Sequence, residues 1–193
     1  MPKQSNKVKF GLSNVHYALL ATDESNNVTF GTPKPFPGAV NLNLTPQGES
    51  NQFYADDVAY YVAVANSGYQ GDLEAALIPD SFSQDVLRES LDETAQVLTE
   101  SSAVETVPFA LLFEFKGDQH AIRHVLYNCT AARPNVTGST TTNTKEPQTS
   151  SLTITAAPLA DGSVKAKTTA NTPDAVYNNW YQSVWRPGTA GGV

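Results

Sequence analysis

Adjacent carboxylates, a histidine pair and a lone thiol are the residues whose types could do chemistry. Asp56 and Asp57 lie in YADDVAYYVAV, residues 54–64; two acids share a metal or act as an acid/base pair only when their carboxyls converge. In an extended chain neighbouring side chains point to opposite faces, so this pair does not converge, and each acid reads as a solvated or turn residue at the entrance of a strand. HAIRH sets His120 and His124 four apart, the spacing of the zinc-protease HExxH helix. Position 121 is alanine, however, and the surrounding pattern is that of a strand, so neither the glutamate base nor the helix is supplied. His16, alone between Val15 and Tyr17, reads as a packed ring. Cys129 falls among apolar strand residues, where a thiol stays protonated and inert. No GxSxG, P-loop or Gly-rich dinucleotide fingerprint occurs. The residues point to no catalytic group, no cofactor and no metal, and the expectation is that the protein is not an enzyme.

The elements that carry these residues alternate with period two. In FALLFEF, Phe109, Leu111, Phe113 and Phe115 share one face, with Ala110, Leu112 and Glu114 on the other. Lys116-Gly117-Asp118 supplies a turn, and Ala121–Ala131 reads as the return strand of a hairpin with Val125, Tyr127 and Cys129 on one face. A second hairpin is expected in SLTITAAPLADGSVKAKT, where Leu152, Ile154 and Ala156 face inward, Asp161-Gly162 turns the chain, and Val164 and Ala166 continue the inward face. Val58–Ala65 and Leu73–Ile78 make further strands, separated by Asn66-Ser67-Gly68. Ser81 and Gln84 have capping-box spacing, which predicts a helix from Phe82 to about Arg88. Residues 89–106 are compatible with a continued helix or with a loop or exposed hairpin. Residues 31–52, with four prolines, and 133–150, rich in Thr and Asn, read as irregular extensions.

Composition bounds the rest. The 193 residues are 40% hydrophobic, enough for a single domain over 1–193, and there is no internal repeat. With 19 acidic against 12 basic residues the net charge is −7, which opposes binding of phosphate backbones. MPKQSNKVKF lacks the apolar run of a signal peptide, and no segment is apolar enough to span a bilayer, so the expectation is a soluble chain without membrane contact. One cysteine excludes an internal disulfide and suits a reducing cytoplasm. Four Asn-x-Thr triplets, at Asn27, Asn43, Asn128 and Asn135, then read as products of an Asn- and Thr-rich composition. Tyr60, Tyr61, Trp180 and Trp185 suit a sugar-stacking face, a core or a subunit contact equally.

The order of segments adds a resemblance. KFGLSNVHYALL (9–20), PFPGAVNLNLTPQGESNQFYADD (35–57), GDLEAALIPDSFSQDVL (71–87), PFALLFEFKGDQHAIRHVLYNCTAARPNV (108–136) and LTITAAPLADGSVKAKT (152–168) follow one another as five collinear blocks. Through them the chain resembles the phage major tail protein family, the phi13-type tail tube proteins of long-tailed phages (siphoviruses) of Gram-positive hosts. Residues 92–106 and the tail after Pro187 match least. The resemblance implies a mostly β fold, a β-sandwich with one flanking α-helix, whose copies form hexameric rings that stack into a hollow tube in the virion tail. Synthesis in the host bacterial cytoplasm is implied, with a tape measure protein in the lumen, a tail-tip initiator and a tail terminator as partners, and transient, non-specific passage of DNA. An acidic lumen would repel phosphates. Candidate lumen or assembly residues are Asp56, Asp57, Asp72 and Glu74, and residues 31–52 are the first candidate for a stacking arm. A monomeric β-sandwich binding module, carbohydrate-binding or adhesin-like, is the alternative; a hydrolase with carboxylates gathered from distant strands is the third reading.

Overall fold

A computed structural model describes residues 4–24, 27–55, 57–140 and 147–188. The elements are β1 (Lys9–Thr22), β2 (Val28–Phe30), β3 (Lys34–Pro35), β4 (Ala39–Gln47), β5 (Ser50–Ala55), β6 (Val58–Val64) and β7 (Gly68–Ala75). Then come α1 (Asp80–Asp85), β8 (Ser90–Asp92), β9 (Val97–Thr99), β10 (Phe109–Gly117), β11 (Ile122–Ala131), β12 (Ser150–Ala157), β13 (Lys165–Lys167) and α2 (Asp174–Asn178). The fold is mostly β and antiparallel, with two short helices.

One sheet carries the structure, in the order β2-β1-β10-β11-β12-β7-β4, with β3 added to β1 and β13 added to β11. It curls until its two ends meet, since β1 and β4 are in contact. Inside the curl, Phe109, Leu111 and Phe113 of β10 pack with Tyr17, Leu73, Leu126, Leu152 and Ile154. The FALLFEF alternation is therefore realised on this side. Helix α1 plugs the curl with Phe82, whose ring meets those of Tyr17, Phe36 and Phe109 edge-on at 5.1, 5.1 and 5.4 Å. Beneath it, the Tyr17 hydroxyl donates to Asp85 (2.8 Å), which also pairs with Lys34 (2.6 Å); burial pushes the phenol up to about 12.

The opposite side of β10 is buried too. Ala110 and Leu112 join Ala18, Leu20, Val125 and Tyr127 in a second core, closed by Trp180 with Val176, Tyr181 and Trp185 of the C-terminal segment. Glu114 lies buried at the end of this face and is matched by Arg123 (Nε to Oε2, 3.1 Å), by the Asn14 amide (2.6 Å) and by the Tyr181 hydroxyl (3.3 Å). Arg123 in turn lies over the Tyr177 ring at 3.8 Å. A buried charge is tolerable when its remaining hydrogen-bonding positions are filled in this way.

Several expectations are corrected. The β10–β11 hairpin forms, but a bulge between the Leu111–Leu126 and Phe109–Cys129 rungs changes the parity of β11. Cys129 consequently shares the inner core with Leu126, while Val125 and Tyr127 face the outer one. The Asp161-Gly162 turn forms, with Gly162 at φ 81°, yet β12 and β13 do not pair with each other. Both pair with β11, β12 along Asn128–Ala131 and β13 along His124–Leu126. Helix α1 has Pro79 at its N-cap with no side-chain cap, and Gln84 donates instead to the Asp80 carbonyl (3.3 Å), so the Ser81–Gln84 box is absent. The helix ends at Asp85, with Val86 as its C-cap, and Arg88 at φ 62° turns the chain beyond it. Residues 31–52 are not an irregular loop: β3, the nine-residue β4 and the start of β5 occupy most of them. Pro46 is accommodated because β4 is an edge strand that pairs only with β7. Strand β7 begins at Gly68 rather than Leu73, and it continues the chain of β6 without pairing to it. Residues 89–106 resolve into a small β8–β9 hairpin.

Replacing the fully buried ring in Phe82→Ala is expected to cost about 3–5 kcal/mol in urea unfolding of the dilute protein. Leu77→Ala, at a side chain 76% exposed, should stay within about 0.5 kcal/mol.

Candidate assembly surface

The β4–β7 pair does not stop at the body. Beyond the Gln47–Gly68 rung the two strands continue as β5 and β6, so residues 39–55 and 57–75 form one ribbon whose root is in the sheet and whose distal half, among the described residues, pairs only with itself. Gly68 marks the departure: at φ 109° its Cα lies so close to β12 that a Cβ would stand 1.9 Å from the Ala156 carbonyl oxygen. A bulge on β6 opposite the Phe53–Tyr54 step breaks the period of two, so Val62 and Val64 share one face, Val58 lies with Tyr61 on the other, and Tyr60 sits at the bulge. Val58, Tyr60, Val62 and Val64 are 59, 74, 49 and 77% exposed, and Tyr54 and Tyr61 are exposed beside them. An isolated two-stranded hairpin is marginal in water, and a cluster of exposed apolar side chains on one marks a surface that another molecule covers.

Asp57 is in the turn of this hairpin, at φ 59°, between the paired Ala55 and Val58. It is therefore not in an extended strand entrance, and the opposite-faces argument does not apply to it; aspartate is among the residues that tolerate this left-handed conformation. Asp56 lies outside the described residues. Asp72 and Glu74 are elsewhere, on the outer face of β7, where Thr153 donates to Asp72 (2.8 Å) and Thr149 to Glu74 (2.8 Å). Their cross-strand neighbours are Asn43 and Asn41 on β4 and Thr153 and Ser151 on β12. This three-strand face is polar and bears two carboxylates, and β4, β7 and β12 contain no Lys or Arg. Asp57 thus belongs to a projecting tip and the Asp72/Glu74 pair to a flat wall.

Positive charge collects at one end of the curl. A cavity of about 350 Å³ opens there between Leu42 and Leu44 of β4, Tyr69 of β7, and Phe113 and Phe115 of β10. His124 stacks flat on Phe113 at 5.1 Å, Lys9 sits over the Phe115 ring at 4.9 Å, and Lys165 lies over Tyr69 and donates to its hydroxyl. Lys167 pairs with His124 across the β11–β13 ladder. Burial first, then Lys167, Lys165 and Lys9, lowers the His124 pKa to about 4. No ion pair among the described residues uses these three lysines.

The other candidates for chemistry do not assemble into a site. His120 and His124 are on a turn and a strand, and no group of three metal-ligating side chains occurs among the described residues. His16 packs on Tyr181 with ring centroids 4.5 Å apart. Cys129 is fully buried, and burial pushes its thiol up to about 12. Trp180 and Trp185 stack within the outer core, whereas Tyr60 and Tyr61 are on the projecting hairpin, so the four aromatics form no common platform. Sequence reasoning missed the hairpin as the projecting part; the Leu42/Leu44 alternation with Asn41 and Asn43 was the signal that β4 belongs to the sheet.

No family model matches the chain, and no curated protein matches it.

The lowered His124 pKa fixes a pH dependence. Its folded value of about 4 lies below the ordinary 6.5, so the unfolded chain binds more protons between them. The contribution of neutral His124 is full above pH 6.5 and declines as pH falls to about 4. In unfolding measured across that window, the difference in stability between wild type and His124→Gln is expected to change between pH 6.5 and 4 and to be flat above pH 7.

Proposed function

We propose that the chain is the major tube subunit of a long-tailed phage tail: a structural protein whose copies close into six-membered rings that stack into a hollow conduit for DNA. The observation that carries this reading is the β5–β6 hairpin. It projects from the body, pairs only with itself among the described strands and exposes Val58, Tyr60, Tyr61, Val62 and Val64, which a second copy would cover. The five sequence blocks that resemble tail tube proteins give the arrangement its form.

Two further features support it. Strand β4 leaves an edge of nine residues unpaired by any other strand among those described, and ring closure with a neighbour's sheet would pair it. The polar wall of β4, β7 and β12 with Asp72 and Glu74 is suited to a lumen, because carboxylates without compensating lysines repel phosphate and let DNA pass without adhering. In this reading Asp56 and Asp57 belong to the arm that reaches a neighbouring copy, a role residues 31–52 share only through β4 and the start of β5. The inner core lies between the β1-β10-β11 part of the curled sheet and its β12-β7-β4 part, which favours a β-sandwich description. Catalytic groups and cofactors are not needed. The tape measure protein would occupy the lumen during assembly, with the tail-tip initiator and tail terminator at the ends.

Negative-stain electron microscopy of the purified protein over a concentration series, with mass photometry on the same samples, tests the proposal. Rings or hollow tubes are expected; monomers that neither polymerise nor extend a tail-tip complex would contradict it and favour the binding-module alternative. Tyr60→Ser with Val62→Ser should leave the melting curve of the body unchanged while raising the concentration needed for tubes at least about tenfold, since each lost apolar contact is worth about 1.5–3 kcal/mol.

A further inference from the structure

We infer that the lysine-lined cavity is the receptor for the β8–β9 hairpin of a second copy, and that this contact gives the stacked assembly its head-to-tail polarity. The inference rests on the tube reading and specifies which surfaces meet between successive rings.

The two surfaces are at opposite ends of the same strands. Rungs Lys9–Gly117 and Leu19–Phe109 mark the two ends of the β1–β10 ladder. The cavity is at the Gly117 end, with Lys9 and Phe115 on its rim. The β8–β9 hairpin is held at the Phe109 end, where Leu20 N donates to the Pro108 carbonyl (2.9 Å) and Val107 N to that of Val86 (2.8 Å). At about 3.3 Å per residue, β10 separates them by roughly 25 Å. A copy cannot fill its own cavity with its own hairpin.

Charge and shape are complementary. Residues 89–106 carry Glu89, Asp92, Glu93, Glu100 and Glu105 and no Lys or Arg. Glu100 is matched by Arg133 (3.2 Å), and the Asp92 carboxylate accepts from the Thr94 and Ala95 amides (2.8 and 2.9 Å), which fixes the hairpin turn. Glu89, Glu93 and Glu105 take part in no ion pair among the described residues. Leu91 and Val97 stand exposed on opposite faces of this hairpin, Leu91 being paired with Leu98 and Val97 with Asp92. Facing them, the cavity offers Lys9 and Lys165 around an apolar floor of Leu42, Leu44 and Phe113, with Lys167 nearby as the ladder partner of His124. An acidic hairpin with an exposed aliphatic side chain on each face fits a cationic rim with an apolar floor. The β5–β6 hairpin does not compete for this place, because it leaves the body at the cavity's own end, one rung beyond Tyr69.

Charge reversal tests the contact, with assembly followed by light scattering and mass photometry. Lys165→Glu/Lys167→Glu is expected to raise the critical concentration at least tenfold, Glu89→Lys/Glu93→Lys to do the same, and the four changes together to return it to within about threefold of wild type. Raising the salt from 0.05 to 0.5 M should weaken wild-type assembly in the same direction. Circular dichroism and melting curves establish that each variant is folded. If either folded double variant assembles like wild type, or the folded quadruple variant is not rescued, the contact is wrong while the tube reading stands. Linear oligomers without rings, sensitive to the same swap, would uphold the contact and overturn the tube. A wild-type chain that stays monomeric at every concentration and salt would overturn both.

Discussion

Strand β10 is buried on both of its faces, and the rest of the molecule follows from that constraint. A strand with one wet face needs a single core; FALLFEF has large apolar groups at almost every position and needs two. The curled sheet and α1 cover Phe109, Leu111 and Phe113. The C-terminal segment returns over Ala110 and Leu112, bringing Trp180 and Tyr181 with it. Glu114 would be a costly exception on the second face were it not held by Arg123, Asn14 and Tyr181 at once. That network also fastens the C-terminal segment to the sheet, so a buried charge here specifies where a chain end must lie.

With both faces of the central strands spent on the molecule's own cores, little remains for contact with others except edges and projections. Those are where the unusual features are: the β4 edge, the apolar β5–β6 hairpin, the lysine cavity and the acidic β8–β9 hairpin. The lysine cavity and the acidic β8–β9 hairpin lie at opposite ends of β10, an arrangement a polar assembly can use. The net charge of −7 is then less informative than its distribution, since a wall free of lysine and a pole rich in it serve opposite purposes.

Much of this was legible in the residues. Period-two alternation marked β10 and the inward Leu152, Ile154 and Ala156 of β12, and Gly162 adopted the positive φ that its turn required. Pairing was less legible, because alternation reports which face is buried and carries no information about which strand lies alongside. Hence β13 was assigned to β12 instead of β11. One bulge reversed Cys129, since a single extra residue moves every later side chain to the other face. The prolines of 31–52 disguised β4, as an edge strand can keep Pro46 where an interior strand could not. The site was harder still: Asp72 fell outside the strand expected from Leu73, and the lysine cavity gathers residues from positions as distant as 9 and 165, which only the fold brings together.

The account's central claim is that the projecting hairpin and the β4 edge obtain their partners from other copies. Amide hydrogen exchange read by mass spectrometry, comparing dilute monomer with assembled protein, addresses it residue by residue. The account predicts fast exchange over 50–64 and along β4 in the dilute protein and strong protection of both on assembly, with β10 and β11 protected throughout. Equal protection of 50–64 in both states, or assembly that leaves that segment exchanging freely, would contradict it.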